Sequence, residues 1–478
     1  MLRETQLQLY KDFITKCTPN AKSIKNYSDF KRIDDCLKLL FPDEQEISIL
    51  DFDDPLEFES VIGKLTTLKQ FIDYEKNGGN QYSNTLKHYL RFLYAKKLFS
   101  NIPREEIVKS INNSPLPQNF NITSIIESLL STGLIYSPTL IKRLAFSLMA
   151  KPFVILSGLA GSGKTQLALA FAKCLCEDID NQVCIVSIGA DWTNREPLLG
   201  YPNALNKDEY VKPESGVLQL LMRANEDQSK PYFLILDEMN LSVVERYFAD
   251  FLSAMESGEP IKLWDNENGD VPKEIELPKN VFIIGTINVD ETTYMFSPKV
   301  LDRANVIEFK IAADEMEDYL GKKVNINLES AYSACANMAV DFVNKTNSQV
   351  EKDEKNKDVL LSFFKELKKV NAEFGYRTVN EISRYLHFAD GDLEDNSAID
   401  TAILQKLLPK LHGSRKKLVP TLTALWDICL NDGNTTKIDT ETEKLNFQEG
   451  FKYPESAEKI KRMYDAVIDN GFTSFAEA

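Results

Sequence analysis

The spacing of apolar residues divides the 478-residue chain into three parts. Helical spacing predominates over residues 1–135 and returns after residue 311, whereas short continuous apolar runs alternate with helical segments between them. Such runs are typical of strands that are buried on both faces of a parallel sheet, whose strands need helical crossovers. The pattern predicts an α/β domain at 136–311, a mostly helical N-terminal domain at 1–135, and a helical lid with a C-terminal tail at 312–478.

Five apolar runs in the central part predict the strands of the sheet. They are 153–156, 183–188, 232–236, 281–287 and 306–309. Two further segments, 261–264 and 274–277, alternate apolar and polar residues around Asp265-Asn-Glu-Asn-Gly269 and predict a β-hairpin. In open parallel sheets, ligands bind at the carboxyl ends of the strands, so we expect the chemistry of the protein where these runs end.

Helical patterns precede and follow the central part of the chain. In the C-terminal part they cover 331–344, 359–374, 380–389 and 398–411, and the pattern beyond about 432 is too weak to assign an element. In the N-terminal part, residues 82–97 predict an amphipathic helix with a basic side, which is either a surface for DNA or a partner, or an ordinary solvated face. Residues 112–121 are rich in Pro, Asn and Ser and predict a linker.

A glycine-rich turn joins the first predicted strand to a helix. It reads Gly158-Leu-Ala-Gly-Ser-Gly-Lys-Thr165, the pattern of a phosphate-binding loop in its strand-before, helix-after context. Glycines let backbone N–H groups turn toward phosphate oxygens, and the helix N-terminus adds partial positive charge. We expect Lys164 to reach the terminal phosphates and the Thr165 hydroxyl to ligate Mg²⁺. The predicted nucleotide-binding residues are Gly158, Ala160, Gly161, Ser162, Gly163, Lys164 and Thr165.

Two carboxylates, Asp237 and Glu238, end the apolar strand that begins at Tyr232. Together with an upstream phosphate-binding loop they predict phosphoryl transfer, in which the protein supplies positioning and charge. We expect Asp237 to hold Mg²⁺ through a water opposite Thr165, and Glu238 to orient and deprotonate the attacking water. The alternative is a strand followed by an acidic helix start, which the loop upstream makes the weaker interpretation.

Three more polar residues are candidates for the reaction. Asn288 ends the next predicted strand, where it contacts the attacking water or the γ-phosphate, or is an ordinary turn residue. Arg303 is a candidate arginine finger for a neighbouring subunit, with an intrachain ion pair as the alternative. Arg377 lies on the helical lid, where it contacts phosphate if the lid folds back over the nucleotide, and otherwise forms a surface ion pair.

Composition and charge make several classes of protein less consistent with the sequence. Lys and Arg total 56 against 72 Asp and Glu, which gives a formal net charge of −16 and does not favour a free-standing nucleic-acid binder. The sequence has no apolar run of transmembrane length, and its polar N-terminus is unlike a signal peptide. Seven scattered cysteines and three histidines do not predict a zinc site. We therefore expect a cytoplasmic protein without membrane contact.

These stretches resemble the AAA+ ATPases and, within them, the McrB-type motor subunits of modification-dependent restriction systems. The likeness rests on the loop at 158–165, on 190–201, on 236–252 and on Gly285-Thr-Ile-Asn288, and the segment 407–415 is also similar. The resemblance implies an AAA+ sheet order, a hexameric ring with nucleotide at subunit interfaces, Arg303 acting in trans, and a separate nuclease subunit. The subgroup usually has an arginine shortly after its sensor asparagine, whereas Thr292 stands there in this chain.

The resemblance also implies a function. We expect an Mg²⁺-dependent nucleoside triphosphatase that uses ATP, with GTP as the alternative because McrB itself prefers GTP. It would form an oligomeric motor that drives a partner nuclease or effector on DNA in a restriction or phage-defence system. The alternative is a MoxR-like, chaperone-type ATPase that remodels a protein complex. A module that binds nucleotide without hydrolysing it is disfavoured by Glu238 and Asn288.

Overall fold

The computed structural model describes residues 119–206, 209–266, 270–289, 294–311, 326–431 and 450–476, together with isolated residues within 33–89, 316–321 and 434–445. The chain divides into two compact units, Met1–Leu116 and Pro117–Ala478, and the division falls inside the predicted linker. The first unit ends before the predicted boundary at 135 because the helix Ile122–Ser131 packs within the second unit. The predicted helix at 82–97 lies outside the described residues, apart from Tyr89.

Five parallel strands form the central sheet. The described strands are β1 (Phe153–Gly158), β2 (Val183–Ser187), β3 (Tyr201–Pro202), β4 (Tyr210–Val211), β5 (Tyr232–Asp237), β6 (Ile261–Lys262), β7 (Glu274–Ile275), β8 (Val281–Asn288), β9 (Asn305–Phe309), β10 (His412–Ser414) and β11 (Phe472–Ser474). The sheet order is β2-β5-β8-β1-β9. Every position of β1 and β8 is buried, as continuous apolar runs require in a covered parallel sheet. The five predicted strands and the α/β fold class are confirmed.

Helices connect these strands and continue after the sheet. The described helices are α1 (Ile122–Ser131), α2 (Pro138–Ala150), α3 (Lys164–Leu175), α4 (Ile179–Gln182), α5 (Glu196–Leu199), α6 (Val217–Glu226), α7 (Val244–Tyr247), α8 (Ala249–Ser257), α9 (Pro298–Leu301), α10 (Ala339–Asn347), α11 (Lys357–Lys368), α12 (Tyr376–Ala389), α13 (Asp395–Ala402), α14 (Arg415–Cys429) and α15 (Pro454–Asn470). No described helix is long and apolar enough to cross a membrane.

The predicted helices of the C-terminal part differ from the structure at several boundaries. The helix predicted at 359–374 is Lys357–Lys368, and the helix predicted at 380–389 is Tyr376–Ala389. The predicted helix at 331–344 begins later, at Ala339, because 3₁₀ turns occupy much of 328–338. The predicted helix at 398–411 is α13 followed by a π-helical turn and a 3₁₀ turn. A further difference is α15, which lies in the segment where the sequence pattern assigned no element. The predicted hairpin at 261–277 is present as the antiparallel pair β6 and β7.

Aromatic side chains join the C-terminal helices to the sheet. The ring of Phe342 on α10 lies 4.8 Å from that of Phe282 on β8 and 6.1 Å from that of Phe171 on α3, between centroids. Phe171 in turn meets Phe233 of β5 edge to face at 6.1 Å. All four rings are fully buried. Helix α10 is therefore part of the hydrophobic core that fixes α3 against the sheet.

The C-terminal segment is attached to the same core. Helix α15 packs along α14, and β11 pairs antiparallel with β10. Asp400 of α13 accepts the backbone N–H groups of Glu455 and Ser456, both at 2.9 Å, and so caps the first turn of α15. The buried Lys459 of α15 donates to Glu308 of β9 at 2.9 Å. These contacts place α15 beside the strand that borders β1.

Candidate functional site

The loop after β1 has the backbone that a phosphate-binding turn requires. Gly161 and Gly163 have φ angles of 72° and 95°, a left-handed conformation that residues with a Cβ rarely adopt. Gly158 is needed for another reason, since a Cβ there would lie 2.5 Å from the carbonyl oxygen of Phe309 on β9. Helix α3 begins at Lys164 directly after the turn, so the positive end of its dipole lies at the loop.

Backbone carbonyls of the loop hold the Lys164 ammonium inside the turn. The ammonium donates to the carbonyl oxygens of Gly158 at 3.0 Å and Leu159 at 2.6 Å, and the residue is only 4% exposed. From the other side, Tyr136 donates its hydroxyl to the Gly163 carbonyl at 3.0 Å. Burial raises the pKa of Tyr136, so it remains a neutral donor. The loop therefore presents a fixed cation together with a helix N-terminus.

Asp237 lies in contact with the loop through Thr165. The Thr165 hydroxyl donates to Asp237 Oδ1 at 2.6 Å. The same Oδ1 accepts the hydroxyl of Thr286, from β8, at 2.7 Å, and Thr286 Oγ1 accepts the backbone N–H of Glu238 at 3.0 Å. One threonine thus joins both carboxylate residues. Sequence reasoning gave Thr286 no role, although a hydroxyl inside a continuous apolar strand marks a position that needs a buried partner.

Glu238 occupies a sharp turn at the end of β5. Its φ and ψ angles are 54° and 47°, the left-handed region that costs a non-glycine residue about 1–3 kcal/mol and that clusters at active sites. Asn288 donates from Nδ2 to Glu238 Oε1 at 3.3 Å. Asn240 donates to the carbonyl of Asn288 at 3.1 Å, so the chain after β5 also binds the end of β8. Asn240 is a second residue of the site that the sequence did not single out.

The strand order explains why these side chains meet. Strand β8 lies between β1 and β5. Its register pairs Asn288 with Gly158 at the start of the loop, and it pairs Gly285 with Leu236 just before Asp237. The carboxyl ends of the three strands therefore bring the loop, the carboxylates and Asn288 to one edge of the sheet, where the sequence predicted them.

The oxygen atoms at this edge fit a magnesium ion that is bound together with a nucleotide. Mg²⁺ prefers oxygen ligands, keeps several waters and is usually held by one or two carboxylates plus substrate phosphates. Thr165 and Asp237 supply one hydroxyl and one carboxylate in direct contact. Within the described residues there is no cluster of three or more His, Cys, Asp or Glu that could hold a metal alone. Waters and phosphate oxygens would supply the remaining ligands of a metal ion at this edge.

A cavity of about 330 Å³ lies beside the loop. Its lining is largely apolar and comes from residues 133–136, from Gly161 to Gly163, and from the chain after β9. Tyr136 packs edge to face on Phe309 in its wall, with 5.8 Å between ring centroids. A nucleoside joined to phosphates on the loop would extend into this cavity, whose apolar walls suit a flat aromatic base.

Arg303 and Arg377 lie together at a different place. Arg303 donates to the carbonyl oxygens of Leu252 at 2.8 Å and Lys299 at 2.7 Å, and forms an ion pair with Glu256 Oε2 at 2.6 Å. Arg377 Nη1 lies 2.5 Å from the same Glu256 oxygen. Both arginines therefore form the intrachain ion pairs that the sequence left open as the alternative. The contacts described for the chain do not bring either arginine to the phosphate-binding loop.

A buried charge cluster continues from Arg377 into the lid. Glu381 of α12 accepts from Arg377 at 3.1 Å, from Lys151 at 2.5 Å and from Lys406 at 2.6 Å. Although burial by itself raises it, the charges of Lys406 and Lys151 lower the pKa of Glu381 to about 2, so the carboxylate stays ionised. Lys151 ends helix α2 and Lys406 lies in the π-helical turn, so Glu381 links three segments of the second unit.

Part of the chain is similar in sequence to a characterised protein. A stretch of 157 residues is 27% identical to the Type IV methyl-directed restriction enzyme EcoKMcrB subunit of Escherichia coli (strain K12). Over this stretch the chain is similar to McrB, as the resemblance of its motifs predicted. The matched stretch covers 31% of this chain and 32% of the E. coli protein, so the McrB-like protein spans about a third of the length of that curated relative. The recognition of the McrB-like AAA+ family from the sequence is confirmed. Thr292, the departure from the subgroup pattern, lies outside the described residues.

Two further likenesses were found. A family described as a domain of unknown function, DUF8727, matches residues 326–472, which include every helix from α10 to α15. The crystal structure of a protein from Cytophaga hutchinsonii ATCC 33406, named as a candidate ATPase, aligns with a TM-score of 0.42 and 16% identity over 60% of this chain and 86% of that chain.

Proposed function

We propose that this McrB-like protein hydrolyses a nucleoside triphosphate with Mg²⁺, with ATP as the nucleotide and GTP as the alternative, in an oligomeric ring. The observation that carries the proposal is the chain of contacts from Thr165 through Asp237 and Thr286 to Glu238. Through these contacts, the hydroxyl and carboxylate that we assign to Mg²⁺ lie beside Glu238, which we assign as the base. A protein that only binds nucleotide has no use for the second carboxylate.

Each residue has a distinct part in this proposal. Lys164 and the N-terminus of α3 bind the terminal phosphates, and Thr165 with Asp237 holds the metal ion, which would supply charge stabilisation to the transferred group. Glu238 takes the proton of the attacking water at one of its carboxylate oxygens. Asn288 donates to Glu238 Oε1 and thereby fixes the direction in which that carboxylate points.

We assign Arg303 and Arg377 to a neighbouring subunit's nucleotide. Within their own chain both arginines contact Glu256, and no described contact joins either of them to the phosphate-binding loop, which supports a phosphate partner on a neighbouring subunit. Arg303 is held by two backbone carbonyls, which fix the position of its guanidinium. An arginine that acts in trans requires an oligomer, and a ring of six is the arrangement that the family resemblance implies.

The proposed target of the motor is DNA, acted on through a separate nuclease or effector subunit in a restriction or phage-defence system. The support is the likeness to the E. coli protein, which is named as a subunit of a restriction enzyme. The division of the chain after Leu116 gives the protein a separate N-terminal unit for recognition of the target or the partner. The alternative is a MoxR-like remodelling ATPase, for which hydrolysis would not respond to DNA.

Turnover by Glu238→Gln tests the hydrolysis proposal. The variant should bind nucleotide with unchanged affinity and hydrolyse it roughly tenfold or more slowly, since a positioned general base contributes about 10²–10⁴-fold. Glu259→Gln is the matched control, because Glu259 is an exposed carboxylate in the turn after α8. Unchanged turnover in Glu238→Gln would remove Glu238 from its assigned role.

Stimulation of hydrolysis by DNA tests the choice of target. Hydrolysis should rise when duplex DNA is added at low salt and should lose this stimulation as salt increases, because phosphate contacts release counterions. The same titration with an unfolded or assembled protein substrate is the comparison. Stimulation by protein and none by DNA would favour the remodelling function.

A further inference from the structure

Arg303 and Arg377 share Glu256 as an ion-pair partner. Both ion pairs end on one oxygen, Oε2, which lies 2.6 Å from Arg303 and 2.5 Å from Arg377. The Glu256 side chain is 54% exposed, whereas those of Arg303 and Arg377 are 15% and 33% exposed. The two cations are thus held in place by the protein, and the anion between them is the part that solvent reaches. This is the arrangement of an anion site with an exchangeable occupant.

The surrounding charges favour exchange for a more highly charged anion. Arg303, Arg377, Lys151 and Lys406 are four cations that face two carboxylates, Glu256 and Glu381. Burial lowers the pKa of Lys406 and lowers that of Lys151 to about 8. Even without the charge of Lys406, the two arginines and Lys151 outnumber the two carboxylates at pH 7. The cluster therefore carries excess positive charge, which a phosphate neutralises better than one carboxylate because it carries more charge and more acceptor oxygens.

The same edge carries an exposed aromatic residue. Tyr376, which begins α12 next to Arg377, is 92% exposed. Tyrosine is enriched at protein interfaces because it combines apolar area with a polar tip. Charge and apolar area together indicate that this edge meets another macromolecule that presents negative charge. A second copy of this chain with nucleotide on its phosphate-binding loop provides such a surface.

We propose that Glu256 is an intramolecular latch, whose carboxylate takes the position at Arg303 and Arg377 that the terminal phosphate of nucleotide on a second copy of the chain occupies after assembly. The inference rests on the proposed function, since it needs a second copy that holds nucleotide. In the single chain the latch keeps the two arginines ordered and neutralised. Nucleotide on the neighbour then displaces Glu256, so hydrolysis is tied to assembly.

The test is the dependence of specific hydrolysis rate on protein concentration. Glu256→Gln removes the competing charge, so the protein concentration for half-maximal rate should fall about two- to fivefold, the range that a half-exposed ion pair allows. Glu259→Gln, three residues further along the chain, should leave it unchanged. A titration of Glu256→Gln that coincides with the wild type, or lies at higher protein concentration, overturns the latch.

A second variant shows whether the effect runs through the arginines. Glu256→Gln alone should strengthen nucleotide-dependent self-association in sedimentation velocity. In an Arg303→Gln background, where Arg377 remains, adding Glu256→Gln should produce a smaller shift, and an equal or larger shift overturns the latch. If Glu256→Gln lowers the melting temperature, Glu256→Asp is used in its place. It should also lower the protein concentration that gives the half-maximal hydrolysis rate. A wild type that does not hydrolyse nucleotide overturns the proposed function and the latch with it. Hydrolysis with an unshifted titration overturns the latch alone.

Discussion

Thr286 donates its hydroxyl hydrogen to Asp237 Oδ1 across 2.7 Å and accepts the backbone N–H of Glu238 at 3.0 Å. The hydroxyl therefore acts on both sides of the turn in which Glu238 has a left-handed backbone. It orients the carboxylate assigned to the metal and holds the backbone of the residue assigned as the base. Valine has nearly the same shape and can do neither.

Thr286→Val should reduce the hydrolysis rate about tenfold with little change in nucleotide affinity. The buried N–H of Glu238 loses its acceptor, which costs about 1–3 kcal/mol and lets the turn relax away from the reactive geometry. Steady-state rates together with nucleotide titrations measure the two effects separately. Thr286→Ser restores the hydroxyl and should recover most of the rate. A full rate in Thr286→Val would show that the bridge has no part in the reaction.

Gly158→Ala should destabilise the fold by about 1–3 kcal/mol, the usual cost of forcing an extra methyl group into a packed site. Its Cβ would lie 2.5 Å from the backbone oxygen of Phe309, which cannot move without displacing β9. Urea unfolding measures the loss. Gly321→Ala is the matched control, since a Cβ there meets nothing within 4 Å. Equal stability of the two variants would contradict the close packing of β1 on β9.

Asp400→Ala should weaken the attachment of α15 by about 2 kcal/mol, the upper end of the cost of losing a helix cap. The change leaves the N–H groups of Glu455 and Ser456 without their carboxylate acceptor. Hydrogen exchange of the amides of α15 should accelerate more than that of the sheet. Asp395→Asn, on the same helix but paired with an exposed lysine, should change little. Uniform exchange in Asp400→Ala would show that α15 is not capped by this residue.

Glu308 makes the stability of the fold depend on pH. Burial by itself raises the pKa of Glu308, but the hydrogen bond from Arg462 and the charges of Lys459 and Arg462 lower it to about 2. The folded pKa lies below the unfolded value of about 4.3. The carboxylate therefore stabilises the fold above that unfolded pKa, and this contribution is lost as pH falls toward 2.

Glu308→Gln should lower the free energy of unfolding by about 3 kcal/mol at pH 7, because it leaves the buried Lys459 without its counterion. The difference from the wild type should shrink at pH 3.5, where the wild-type contribution is already falling. Urea unfolding at the two pH values measures both. Glu458→Gln, on α15 and half-exposed, should cost less than about 1 kcal/mol at either pH. A difference that does not change with pH would contradict the lowered pKa.

The sheet and the edge that carries the site could be predicted from the sequence because both follow from local patterns. Continuous apolar runs mark the five strands, and the carboxyl ends of parallel strands meet at one edge. These two facts are enough to bring Asp237, Glu238 and Asn288 near the loop. The sequence could not show that Thr286 bridges the carboxylates, since this depends on the pairing of β5 with β8.

The remaining contacts depend on segments that are far apart in the chain. The pairing of Arg303 and Arg377 with Glu256 joins residues that no local pattern connects. Helix α15 is a different case, because Ile460, Met463, Tyr464 and Val467 have helical spacing and are buried. The sequence contains this helical pattern. Because a polar segment precedes it, the sequence alone does not show that the helix belongs to the core.

Strand β8 is hydrogen-bonded to β1 on one side and to β5 on the other. Thr286 and Asn288 are two positions apart on it, so their side chains lie on the same face. A shift of β8 by one residue would keep a complete hydrogen-bond ladder and yet turn both side chains to the opposite face. A misaligned chain would therefore look folded by its secondary structure while it lacked the reactive edge. Secondary-structure content alone would therefore not distinguish the two registers, whereas a nucleotide-dependent assay would.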